Sequence, residues 1–319
     1  MSASTLPRGP VVLGIEGLAL TAADRERLAH PLVGGVILFT RNFTDRVQLG
    51  ALTAEIHALR TPTLLICVDH EGGRVQRFRD GFTPIPAMRT LGAQWDGDVA
   101  AAAGEARRLG EIIARELRAV GVDFSFTPVL DLDFGSSTVI GNRAFHGNAN
   151  AVAHLAACLH QGLRAGGCAA VGKHFPGHGF VAADSHVDVP VDERPLTEIN
   201  ANDLIPFAAM VRAGLDAVMP AHVIYPAVDA VPAGYSRIWL QDILRGRLGF
   251  DGLVFSDDLG MAGALAAGDI VARANAAIAA GCDMALTCND FAAADDLLSR
   301  WLPPPQPRLD KRTALLQGR

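Results

Sequence analysis

Leu64-Leu-Ile-Cys-Val68, running straight into Asp69-His-Glu-Gly-Gly-Arg-Val-Gln-Arg77, sets the pattern from which the fold is read. A short aliphatic run reads as a strand, and the abrupt change to ionisable residues marks where it ends. Seven further runs rich in Val, Ile, Leu or Phe follow, at 11–17, 35–40, 123–130, 169–174, 217–221, 253–256 and 284–288. Segments of helical period lie between them, near 22–30, 46–59, 98–119, 150–165, 197–213, 237–247, 261–280 and 290–301. Such alternation is the signature of βαβ units around a parallel sheet, and eight of each predict an α/β fold, a single (β/α)8 TIM barrel. A doubly wound open sheet also alternates, but it usually carries a glycine-rich phosphate loop after its first strand. Gly14-Ile-Glu-Gly17 lacks the G-x-G-x-x-G spacing. Residues 1–302 are therefore expected to form the catalytic barrel. Residues 303–319, with Pro303, Pro304, Pro305 and Pro307, are expected to form an extended surface tail.

The composition limits what such a barrel can bind. With 50% hydrophobic and 19% charged residues in 319, the chain has ample material for a large core and no signature of disorder. Lys and Arg number 28 against 34 Asp and Glu, a net charge of −6, which argues against a general grip on nucleic acid or anionic lipid. The longest alanine-rich stretch, 261–281, is interrupted by Asp269 and Arg273, so no membrane span is expected. Five cysteines without C-x-x-C spacing read as buried thiols in a reducing compartment. The first residues offer no uninterrupted signal-peptide core. A cytoplasmic monomer is expected.

In a barrel the active site is built at the carboxyl ends of the strands. The third strand runs into Asp69 and Arg77, the fourth into Asp131 with Arg143 downstream, and the fifth into Lys173-His-Phe-Pro-Gly-His-Gly179; the sixth ends at His222 and the seventh at Asp257-Asp258. Arg77, Arg143 and Lys173 would make a local positive patch suited to hydroxyl, carbonyl or carboxylate oxygens. His174, His178, His186 and His222 could serve as metal ligands with Asp69 or Asp257. Their spacing fits neither H-x-H nor H-E-x-x-H, so no metal or other cofactor is expected. Asp184-Ser-His186 falls in a stretch of about twenty residues with no predicted element, the length of a functional loop. An Asp two residues from a His can fix its tautomer and raise its pKa toward neutrality, although the triplet taken alone reads more readily as a solvated Asx-turn.

Together, Lys173-His-Phe-Pro-Gly-His-Gly179, Asp184-Ser-His186, Asp69-x-Glu-Gly-Gly-Arg-Val-Gln-Arg77 and Phe255-Ser-Asp-Asp-Leu-Gly-Met261 resemble family 3 glycoside hydrolases, specifically bacterial β-N-acetylhexosaminidases of peptidoglycan recycling. The resemblance covers nearly the whole barrel with its motifs in order. It implies removal of terminal β-linked N-acetylglucosamine from fragments such as GlcNAc-1,6-anhydroMurNAc and its peptides. It also implies that Asp257 is the nucleophile, that His186 is the general acid/base with Asp184 as its partner, and that Asp69, Arg77, Arg143, Lys173 and His174 bind sugar. Two positions depart from the usual pattern, His70 in place of Gln and Gly260 in place of Ser, which bears on fine specificity. Retaining hydrolysis needs such a carboxylate and such a proton donor. The competing readings are a phosphorylase on the same scaffold and a non-catalytic sugar-binding barrel. The loop 176–195 holds few large apolar anchors and is expected to be poorly ordered until a glycoside occupies the site.

Overall fold

The computed structural model describes residues 4–182 and 190–317. Val11–Gly14 (β1), Val33–Leu38 (β2), Leu65–Val68 (β3), Phe124–Ser125 (β4), Val171–Phe175 (β5), Ala217–Pro220 (β6), Leu253–Asp258 (β7) and Met284–Thr287 (β8) form one sheet. Its order is β4-β3-β2-β1-β8-β7-β6-β5 and every pairing is parallel. The remaining seam is closed just past β4, where Val171 N donates to Thr127 O (2.8 Å), Lys173 N to Pro128 O (3.2 Å) and Leu130 N to Lys173 O (2.6 Å). The expected TIM barrel is therefore present. Because strand side chains alternate in direction, one set fills the barrel interior, where Phe124, Phe126 and Phe255 meet with ring centroids 5.1–5.8 Å apart. The other set, including Leu13, Val36 and Ile66, packs outward against the helices.

Three aspartates at the amino end help hold the strands in register. Asp123 Oδ2 accepts from Ile66 N (2.8 Å), Asp216 Oδ2 from Ala170 N (3.0 Å) and Asp283 Oδ2 from Val254 N (2.8 Å). Each stands immediately before an even-numbered strand and serves an amide of the odd-numbered neighbour, satisfying a backbone donor where the ladder begins.

Some elements depart from expectation. The helix expected over 197–213 is two helices, Leu196–Ala201 and Leu204–Arg212, interrupted at Asn202. The first turns expected of 261–280 are the 3-10 segment Ala262–Ala267, and a new helix, Ile270–Ala280, starts where Asp269 accepts from Ala272 N. The prolines do end the helix Phe291–Arg300, but the chain beyond them is not an extended surface segment. Leu309–Thr313 is helical, and Leu309 and Leu316 join the cluster that fills the barrel interior. Arg312 fastens this segment to Asp283 Oδ1 (2.6 Å) and Asp251 Oδ1 (2.8 Å). No helix among the described residues is long and apolar enough to cross a membrane.

Leu316 is fully buried, so Leu316→Ala is expected to lower unfolding free energy by about 2–5 kcal/mol, the usual range for truncating a core leucine. Denaturant titration measures it; a loss under about 0.5 kcal/mol, the scale of a surface change, would mean that the C-terminal segment is not part of the core.

Candidate active site

The carboxyl ends of the strands surround a cavity of about 370 Å³. Asp69, Arg77, Arg143, Lys173, His174 and Asp257, six of the eight residues singled out from sequence, line it. The other two, Asp184 and His186, lie outside the described residues.

Past β3 the chain is turned by His70 N donating to Ser125 Oγ (2.9 Å), and it continues as a short hairpin, His70–Gly72 with Val75–Gln76. The Gln76 side chain pins this excursion: its Nε2 donates to Phe78 O (3.1 Å) and Thr83 O (3.0 Å), and its Oε1 accepts from Ile85 N (2.9 Å). Gly72 has φ of 110° and a Cβ there would lie 2.5 Å from Pro86 O, so only glycine fits the turn. The hairpin leaves Asp69 at the cavity and buries Glu71 behind it. His70 points elsewhere, among Phe78 and Phe82, where burial lowers its imidazole to about 4 and keeps it neutral. Neither His70 nor Gly260 lines the cavity, so the two departures from the family pattern are not contacts of the site.

A chain of opposite charges links three strand ends. Lys173 Nζ sits 2.7 Å from Asp69 Oδ1 and 2.6 Å from Glu71 Oε1. Arg143 grips Glu71 with a two-pronged contact, Nε to Oε2 and Nη2 to Oε1, both 2.8 Å. Arg77 Nη2 stands 3.7 Å from Asp69 Oδ2. Burial alone would raise the Glu71 carboxyl, but Arg143 and Lys173 outweigh it and hold Glu71 well below the usual carboxylate range. Burial alone would likewise lower the Lys173 ammonium, and Asp69 and Glu71 instead hold it above its ordinary value. Glu71, Lys173 and Arg143 each keep the charged form favoured because each has an opposite charge as partner.

A second network orients His174. Its Nδ1 lies 2.7 Å from Asp131 Oδ2, while Asp131 Oδ1 accepts from His174 N (3.2 Å) and His178 N (2.7 Å). Against the effect of its burial, His174 and His178 keep Asp131 below the ordinary carboxylate range. An ionised Asp131 accepts from Nδ1–H and leaves Nε2 as the ring nitrogen available to a ligand.

The two aspartates ending β7 are treated differently. Asp258 Oδ1 accepts from Gly260 N (2.9 Å) and Cys288 N (3.2 Å), and burial together with the neighbouring Asp257 charge raises its carboxyl despite these bonds. Burial also acts on Asp257, but His222, His174, the Asp258 amide (2.8 Å) and Lys173 outweigh it and lower the carboxyl below its ordinary value. His222 is fixed by Nε2 lying 3.1 Å from Asp258 O, and burial lowers its imidazole. Of the two, Asp257 is the one whose surroundings favour the charged form.

The stretch expected to be without structure between β5 and the next helix is well anchored over its described parts. Tyr225 Oη donates to Gly177 O (2.7 Å), a Cβ on Gly179 would fall 1.7 Å from Leu132 O, and Asp192 N donates to Ile224 O (2.8 Å). Only residues 183–189 of it fall outside the description. Glu71 and Asp131 receive no role from sequence, and His222 only that of a metal ligand that the spacing argues against, although each stands in or beside a strand-end motif. What sequence did not show is the pairing, since Arg143 lies 72 positions from Glu71. Among the described residues no group of three or more His, Cys, Asp or Glu side chains is arranged to hold a metal.

A ring of charged side chains around a small cavity at the carboxyl ends of the strands, Asp69 and Asp257 among them, is the active site of a barrel enzyme suited to a polar ligand. Comparison with known proteins makes this specific. Residues 11–302 match the glycosyl hydrolase family 3 N-terminal domain, and the chain belongs to that family. It is 60% identical over 314 residues to a β-hexosaminidase of Chromobacterium violaceum, covering 98% of this chain and 88% of the relative. It is 58% identical over 320 residues to one of Aromatoleum aromaticum, covering 100% and 90%. The crystal structure of NagZ from Neisseria gonorrhoeae in complex with N-trifluoroacetyl-D-glucosamine superposes with a TM-score of 0.95 at 52% identity, over 99% of this chain and 92% of that one. The enzyme is a β-N-acetylhexosaminidase of the bacterial kind.

Replacing the shared acceptor by Glu71→Gln leaves Lys173 and Arg143 facing one neutral amide in a buried site. The charge imbalance is expected to lower kcat/KM by roughly 10- to 100-fold, corresponding to about 1–3 kcal/mol for imperfectly satisfied buried groups. Steady-state assay of an aryl N-acetylglucosaminide checks this, and a loss below about threefold would mean that the carboxylate does not hold the pair.

Proposed function

We propose that this β-N-acetylhexosaminidase works with retention of configuration on peptidoglycan fragments. It would remove terminal β-linked N-acetylglucosamine from GlcNAc-1,6-anhydroMurNAc and its peptides in the cytoplasm, as a monomer without a cofactor. The observation that carries the mechanism is the asymmetry of Asp257 and Asp258. A nucleophile has to be ionised and able to reach carbon; the lowered Asp257 carboxyl, with a single amide on Oδ1, supports that role, whereas Asp258 has one oxygen committed to two backbone amides.

In the first step an Asp257 oxygen bonds to the anomeric carbon as the glycosidic C–O bond breaks, and the departing oxygen takes a proton from His186. In the second, water attacks the same carbon, gives its proton to His186 and releases Asp257. Asp184 orients the imidazole. Asp69 accepts hydrogen bonds from two neighbouring sugar hydroxyls, while Lys173, Arg77 and His174 donate to others. The Arg143 fork is already occupied by Glu71, with Nη1 on Val139 O (3.3 Å), so Arg143 serves the sugar chiefly by holding Glu71 and through it Lys173. The muramyl substrate is supported by the resemblance of the K-H-F-P-G-H-G and D-S-H elements to enzymes of peptidoglycan recycling, and the reducing compartment by five free cysteines.

Mass spectrometry after reaction with a slow 2-acetamido-5-fluoro glycoside tests the central claim, with a covalent adduct expected on Asp257. Product analysis in phosphate buffer should give free sugar rather than sugar 1-phosphate. Asp257→Ala is expected to lower turnover by about 10⁴-fold or more, and Asp258→Ala far less. The reverse order would exchange their roles.

For His186→Ala the effect should depend on the leaving group. An aryl alcohol of low pKa departs without a proton and a sugar alcohol does not, so disaccharide cleavage should fall by about 10²–10⁴-fold. Glycosylation by an activated aryl glycoside should survive much better. Equal losses on both substrates would give the histidine a structural role.

A further inference from the structure

Arg194 is a buried cation that the catalytic reading does not use. Its guanidinium contacts two buried carboxylates: Asp192, through Nε to Oδ1 (3.0 Å) and Nη2 to Oδ2 (2.7 Å), and Asp203, through Nη1 to Oδ2 (2.9 Å) and Nη2 to Oδ1 (3.1 Å). It also lies over two rings, 4.2 Å from the centroid of Phe180 and 4.8 Å from that of Phe134. The two rings meet edge to face at 5.4 Å, and Ser136 Oγ donates to Phe180 O (2.7 Å). One side chain thus joins the loop after β4, the chain after β5 on both sides of residues 183–189, and the start of the helix Leu204–Arg212.

Burying one cation with two carboxylates is a poor way to gain stability, because desolvation of three charges offsets most of their attraction. What such a triad does supply is geometry: a planar fork accepts its partners in one orientation, and the flat rings confine it from the faces. Here the geometry concerns chain spacing. The span from Ala182 to Pro190 contains eight Cα steps, enough to reach about 26–29 Å when extended. A tether of that length restricts the group it carries only if its two ends are held at a set separation. Phe180 stands two residues before one end, and Asp192 and Arg194 stand two and four residues beyond the other.

We propose that Arg194, stacked on Phe180 and Phe134 and bound to Asp192 and Asp203, is a positioning residue for proton transfer to the leaving group. It acts by fixing both ends of the segment that carries Asp184 and His186. The inference rests on the assignment of His186 as acid/base. It does not depend on how sugar is held, because Arg194 does not line the cavity.

Arg194→Lys keeps the charge and loses the fork and the stacking; Phe180→Leu keeps the triad and removes one ring. Each is compared with His186→Ala in the full-length enzyme on an activated aryl N-acetylglucosaminide and on a disaccharide. Thermal melting and the affinity of a hexosaminidase inhibitor are recorded alongside. Misplacing a catalytic group by about 1 Å costs on the order of 10²-fold. Arg194→Lys is therefore expected to lower disaccharide kcat/KM by about that factor, with the aryl substrate changed by less than about fivefold and inhibitor affinity retained. Phe180→Leu should shift the same ratio less and carries the test if Arg194→Lys does not fold. Equal losses on both substrates in a folded Arg194→Lys or Phe180→Leu variant, or no loss on either, would overturn the positioning role while His186→Ala still discriminates between them. Failure of His186→Ala itself to discriminate would instead overturn the acid/base assignment, and the proposal with it.

Discussion

The buried carboxylate of Glu71, shared by Lys173 and Arg143, is the interaction on which the site depends. Three elements that are distant in sequence meet there: the hairpin after β3, the loop after β4, and β5. Two cations at this depth would repel each other, and burial would push Lys173 toward its neutral form, without an acceptor between them. With Glu71 in place, Lys173 remains charged and presents its remaining hydrogen-bonding capacity toward Asp69 and the cavity. The result is a site in which every charged group has a protein partner before sugar arrives. A neutral sugar can then displace water without leaving a buried ion unpaired. Preorganisation of this kind is the usual source of catalytic electrostatics in a small, partly enclosed cavity.

The barrel divides its labour between its two ends, and the chemistry of aspartate shows how. At the amino end Asp123, Asp216 and Asp283 have a carboxylate oxygen committed to a backbone amide of the adjacent strand. At the carboxyl end Asp69 and Asp257 face a cavity and are balanced mainly by cations and imidazoles. The same side chain holds register where it caps a strand and is open to a ligand where it faces the cavity. Leu309, Leu316 and Arg312 complete the contrast by closing the amino end with apolar packing and ion pairs, and so fastening the C-terminal segment at the end opposite the active-site cavity.

Much of this was legible in the sequence because buried parallel strands demand aliphatic runs, and all eight were found by that requirement. The cavity residues were legible because each follows such a run directly. Pairing was not: nothing in the string links Glu71 to Arg143 or Asp131 to His174. The break at Asn202 escaped a reading of 197–213 as one helix because Asp203, an ordinary helix residue by propensity, is drawn into the contact with Arg194. The C-terminal closure was missed because a helix of five residues carries no readable period. Prolines at 303–305 and 307 report only that the preceding helix stops.

The difference between Asp257 and Asp258 shows how little is needed to give two adjacent carboxylates different surroundings. Both end the same strand, and both are withdrawn from bulk water. Backbone amides from Gly260 and Cys288 hold one oxygen of Asp258, which ties that side chain to the rim of β8. Asp257 receives one amide and is otherwise met by His222, His174 and Lys173, groups that favour negative charge without fixing both oxygens. Both side chains reach the cavity wall, so what separates them is the partners that each one meets. The proposed nucleophile is thus the carboxylate balanced by imidazoles and a cation. Its neighbour is fastened to backbone amides beyond the ends of β7 and β8.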